Sequence, residues 1–123
     1  MPHNIEQSMQ GNEPRFRARL LIYYSPEPLR FRADYSVNLS SGGVYLETTD
    51  VLPVDTKLFM MFTLPGSGKI IKCKSRVAWT LDLGTFKKPS LPSGMGLQFI
   101  DITKDSLRAI RDFFNNNDML PSS

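Results

Sequence analysis

The sequence holds 123 residues, 41% of them hydrophobic, with a formal net charge of +3 and one cysteine. Such a chain is long enough for one domain around a single core and too apolar to be disordered. One cysteine excludes an internal disulfide framework and a cysteine-rich zinc site, and no apolar run approaches the ~20 residues that span a bilayer.

Residues 1–12 are polar and without periodicity, and are expected to be a flexible arm rather than a secretory signal. His3, the one histidine, lies there without partners for metal or acid–base work. Residues 17–24 alternate as a strand, with Ala18, Leu20, Ile22 and Tyr24 on one face. Ser25-Pro26-Glu27-Pro28 ends it, because proline cannot continue a ladder. Residues 29–38 form the next strand, with Phe31, Ala33, Tyr35 and Val37 on its apolar face and Arg30, Arg32, Asp34 and Ser36 on its wet one. Ser40-Ser41-Gly42-Gly43 is a turn, where the glycines permit positive φ, and residues 44–48 are a short strand.

Residues 58–64 are strongly apolar and lead into a hairpin turn, Pro65-Gly66-Ser67-Gly68. Gly68-Lys69 is not a phosphate loop, since that motif needs glycine at Thr63 and a hydroxyl residue at Ile70. Residues 70–81 alternate, with Ile71, Cys73, Ser75, Val77 and Trp79 inward and Lys72, Lys74 and Arg76 solvated. Cys73 reads as a small core residue. Residues 82–93 are a loop, and a last strand starts at Gly94. A helix starts near Thr103, an N-cap with Asp105 in its first turn. Its apolar stripe is Leu107, Ile110, Phe113 and Phe114, and Asn115-Asn116-Asn117 is expected to fray it. Six strands joined by connections too short for crossovers, then one helix, make an all-β domain over residues 13–117: a six-stranded antiparallel barrel with one C-terminal helix. Residues 118–123 are a tail.

Charge is uneven along this frame. Residues 15–32 carry five arginines against one acid, Glu27, while the remainder nearly cancels. That excess suits a small anionic partner better than long duplex DNA. No acid–base pair, activated nucleophile or metal cluster is visible, so no enzyme is expected.

Two short motifs carry a family resemblance. Arg15-Phe16-Arg17-Ala18-Arg19 fits Arg-x-x-x-Arg, and Asn38-Leu39-Ser40-Ser41-Gly42-Gly43 fits Asp/Asn-x-Ser-x-x-Gly. With Gly94-Met95-Gly96-Leu97-Gln98-Phe99 in the later strand, the chain resembles a PilZ domain of the split-barrel type over about residues 13–115. The resemblance implies a bacterial, cytoplasmic receptor for cyclic di-GMP, whose N-terminal arginine segment closes on the ligand and whose changed surface meets a protein partner. It implies Arg15, Arg19, Asn38, Ser40 and Gly43 as ligand-binding residues, with no cofactor, no DNA or RNA and no membrane insertion. Arginine suits the task because its planar fork grips a phosphate or donates two bonds to guanine O6 and N7. Asn38 offers one neutral acceptor oxygen where many relatives have aspartate. Arg17 stays open: it shares a face with Arg15 and Arg19 only if the strand begins early. The other readings are an adaptor of the same fold that binds no nucleotide, and a small barrel binding single-stranded nucleic acid through Lys72, Lys74, Arg76, Tyr23 and Tyr45.

Overall fold

The computed structural model describes residues 14–82 and 91–117. The expected arm with His3, the tail and most of the 82–93 loop lie outside those residues. The described elements are β1 (Phe16–Arg17), β2 (Leu21–Ser25), β3 (Arg32–Leu39), β4 (Gly43–Glu47), β5 (Lys57–Thr63), β6 (Ile70–Leu81), β7 (Gly94–Asp101) and α1 (Lys104–Asn116). Every strand pairing is antiparallel, in the order β1-β3-β2-β5-β6-β7-β4. A further pairing of β3 with β4 closes six strands into a barrel, with β1 as a two-residue addition on β3. Among the described residues, closure leaves no long edge strand unpaired.

The apolar alternation from Ala18 to Tyr24 is buried as expected, each of the four residues being at most 8% exposed. The strand itself is split. Between β1 and β2 the Ser36 hydroxyl donates to the Ala18 carbonyl at 2.5 Å and accepts from the Leu20 amide at 2.9 Å. Backbone bonds from Ala18 N to Val37 O and from Ser36 N to Leu20 O keep the path beside β3. Ser36→Ala strips two buried backbone groups of their partner, and such loss costs roughly 1–3 kcal/mol. Chemical denaturation is expected to show that drop, with the fold retained.

β3 corrects the expectation in two ways. It begins at Arg32 rather than Leu29, and its faces are inverted. Phe31 and Tyr35 are 42% and 43% exposed, whereas Ser36 is buried and Arg32 and Asp34 are half-buried. The inward polar groups are tolerated because each has a partner. The Tyr24 hydroxyl donates to Asp34 Oδ2 at 2.5 Å, and Arg32 donates to the Asp50 carbonyl at 2.5 Å while lying over the Tyr24 ring. A register shift between Ser36 and Asn38 then turns Leu39 into the core.

β6 departs similarly. A register shift between Val77 and Trp79 takes Trp79 off the core face, and its indole stacks on Tyr45 with centroids 5.0 Å apart. Gly96 makes room for the indole, since a Cβ there would overlap it. Arg76 is held rather than solvated: its side chain is 16% exposed, bonded to Gln98 Oε1 and Asp55 Oδ1, each at 2.8 Å. Lys72 and Lys74 are exposed as expected. Cys73 packs against the core, and burial, with Asp101 adding to it, pushes its thiol up to about 12. At neutral pH it stays a protonated, unreactive thiol.

α1 is capped by Thr103, whose hydroxyl accepts from the Ser106 amide at 3.1 Å. Ile110 and Phe114 enter the core cluster, with Phe113 and Phe16 packed against it, and Phe114 stacks on Phe16 at 4.0 Å. The helix therefore fixes the start of β1 as well as covering apolar surface. It continues through Asn115 and Asn116, against the expected fraying, and the Asn117 side chain donates to Phe113 O at 2.8 Å. Among the described residues no helix is long and apolar enough to cross a membrane.

Candidate functional site

The inward burial of Ala18 and Leu20 dictates what their neighbours do. In an extended chain, Arg17 and Arg19 must then face outward, and both are exposed. Because pairing starts at Phe16, Arg15 joins that outer series, which settles where Arg17 stands. Arg17 is in register with Asn38, so the arginine segment runs alongside the strand that ends in the Asn38–Gly43 turn.

The two sequence motifs meet in space. Arg15 Nε donates to Asn38 Oδ1 at 2.6 Å, and Arg15 Nη1 reaches Ser40 Oγ at 3.5 Å. Burial pulls the Arg15 guanidinium below its ordinary value, yet an arginine remains cationic at any physiological pH. The site thus holds a partly desolvated positive charge against neutral oxygen acceptors.

Ser40 explains the shape of the turn. Its hydroxyl accepts from the amides of Gly42 at 3.0 Å and Gly43 at 3.1 Å, and its own amide donates to Gly43 O at 2.8 Å. Ser40 is fully buried, so its hydroxyl ties the turn to itself. The glycine expectation is corrected here. Neither Gly42 nor Gly43 has positive φ; the described glycines that do are Gly66 at 87° and Gly68 at 72°, in the β5–β6 hairpin. The serine hydroxyl closes the turn where left-handed backbone was expected to.

Arg19 stands apart from the Arg15–Asn38–Ser40 group, on the same pair of strands. Its guanidinium lies 4.2 Å from the centroid of the Tyr35 ring, and its Nη1 is 3.9 Å from Glu47 Oε1. Both side chains of that ion pair are exposed, so it contributes less than about 1 kcal/mol and does not lock Arg19. Tyr35 and Glu47 are the surrounding residues that sequence reasoning missed as parts of the site, while Tyr45, named there only for a nucleic-acid reading, lies buried behind it. Tyr35 was assigned to the opposite face. Tyr45 stands in register with Asn38, a cross-strand relation that depends on the bulge beside Val37. Its hydroxyl donates to Pro92 O at 2.7 Å, and burial pushes the phenol up to about 12, Glu47 adding to the shift. Among the described residues no group of three His, Cys, Asp or Glu could hold a metal ion.

Comparison with known proteins bears on the family and the fold. The family model for the PilZ domain matches residues 10–116. A solved structure of the Bacillus subtilis inhibitor of motility (MotI/DgrA) aligns with a TM-score of 0.70 at 18% identity, covering 96% of this chain and 52% of that one. MrkH, described as a c-di-GMP-dependent transcription regulatory factor, aligns with a TM-score of 0.63 at 20% identity, covering 86% of this chain and 50% of that one. At those identities the likeness is one of fold, and the chain spans about half the length of each. A search of curated proteins gives no match.

Proposed function

Because the chain belongs to the PilZ domain family, whose model spans residues 10–116, we propose that it is a cytoplasmic receptor for cyclic di-GMP that signals to a protein partner. The observation that carries this reading is the convergence of Arg15 on Asn38 and Ser40, 23 and 25 positions further along the chain, which joins the two motifs.

The chemistry of the ligand suits these groups. Cyclic di-GMP carries two phosphodiester charges and two guanines. Arg15 and Arg19 offer planar forks that match a phosphate edge or guanine O6 and N7. Asn38 Oδ1 accepts from a guanine N–H once Arg15 turns from it to the ligand. Ser40 and Gly43 contribute by holding the turn that presents Asn38. Arg15 starts in place, which lowers the ordering cost of binding, while Arg19 is held only by exposed contacts and is free to swing onto the nucleotide. Ligand then draws Arg19 from its exposed contacts onto the nucleotide beside the already docked Arg15, and the altered surface is read by the partner.

Isothermal calorimetry with cyclic di-GMP is the test. Saturable binding with a defined stoichiometry is expected. No heat at high micromolar nucleotide, from protein shown to be folded, would leave the nucleotide-independent adaptor in its place.

A further inference from the structure

The outer wall of the barrel carries apolar surface that continues past the nucleotide site, with Tyr35, under Arg19, at the boundary between the two. Leu21 and Tyr23 on β2 and Tyr35 on β3 are 37%, 40% and 43% exposed. Their registers make them one surface. Leu21 stands opposite Tyr35, and Tyr23 stands between Ala33 of β3 and Met61 of β5. Met61 is half-buried beside them, and the next strand sets Lys72 opposite it. Soluble proteins rarely show a contiguous apolar face with a charged rim unless something covers it. The inversion of β3 sharpens the point, because Asp34 and Ser36 turn inward while Tyr35 stays in water.

The rim is positive. Lys57, Lys72 and Lys74 are exposed, on the outward side of β5 and β6, and none is in an ion pair among the described residues. Lys74 lies 5.6 Å from the centroid of Phe59, and the one carboxylate in register with it is Asp101. On the far side of the patch, Glu47 is engaged by Arg19.

We infer that this face docks an acidic amphipathic segment of a protein partner, with apolar side chains over Tyr23, Leu21 and Met61 and carboxylates against Lys57, Lys72 and Lys74. Charge selects the occupant. A second copy would bring one positive face against another, whereas an acidic segment is drawn to it. The inference rests on the protein-partner half of the proposed function and is independent of whether nucleotide binds.

Full-length protein carrying Tyr23→p-benzoylphenylalanine, irradiated in the cells that make it and mapped by mass spectrometry, tests the face. The expected adduct lies on one protein segment in which acidic and apolar residues alternate. Adding Lys57→Glu, Lys72→Glu and Lys74→Glu should cut its yield by about tenfold or more, with the melting temperature and cyclic di-GMP calorimetry unchanged. Adducts on a second copy of this chain, equal yield after charge reversal, or no adduct overturn the inference. So does co-sedimentation of the purified protein with phosphatidylglycerol vesicles at physiological salt, which would make the face a lipid surface. If the unaltered protein gives no heat with cyclic di-GMP, the nucleotide reading fails while the crosslinking result still stands.

Discussion

Replacing Arg15 and Arg19 together by alanine is expected to reduce cyclic di-GMP affinity at least a hundredfold while leaving a folded barrel. Each charge-assisted contact contributes roughly 1.5–3 kcal/mol, about one to two decades of affinity. The two losses are not strictly additive, since both cations act on one ligand. Folding is expected to survive because Asn38 is only half-buried, so water replaces Arg15 at its oxygen, and the Arg19–Glu47 pair is exposed. Calorimetry on the double variant reads the affinity and a thermal melt reads the fold. Unchanged affinity would remove both arginines from the site; a collapsed melt would make Arg15 a structural residue first.

The largest effect on stability is expected from Phe114→Ala. The ring is 7% exposed, lies in the core cluster and stacks on Phe16 at 4.0 Å. Removing a buried phenylalanine costs about 3–5 kcal/mol, a large part of the 5–15 kcal/mol that holds a typical domain together. A drop of about 10–25 °C in melting temperature corresponds to that loss. Phe16 is the residue next to Arg15, so loosening the stack also frees the start of the arginine segment. The variant should therefore bind nucleotide more weakly even at temperatures where it remains folded. A melt within about 3 °C of the unaltered protein would mean that α1 covers the core without supporting it.

The residues that were easy to read are those whose partners are implied by local pattern. Ala18 to Tyr24 alternate, and an inward apolar row needs only a core to face. Thr103 precedes an apolar stripe and caps it through a bond three residues away. The Arg15–Asn38 contact was legible because two motifs had to converge for either to matter. β3 misled because both of its faces are mixed, and the partners that satisfy its inward polar groups, Tyr24, Asp50, Ala18 and Leu20, are supplied by other segments. Trp79 misled for a related reason. The register shift that takes it off the core face is matched by a glycine on the neighbouring strand, and strict alternation counts no extra residue. Arg76 looked solvated because Asp55 and Gln98 reach it from other strands and loops.

The Tyr45–Trp79 stack has a practical side. Trp79 is the sole tryptophan of the chain, and Tyr45, on which it lies, is in register with Asn38. Excited at the red edge of its absorption, where tyrosine is dark, this protein thus emits from a single indole, linked through Tyr45 to the strand and bend that carry the amide. The fold comes with its own dye, and events at that bend can be followed by eye of the fluorimeter without attaching a label.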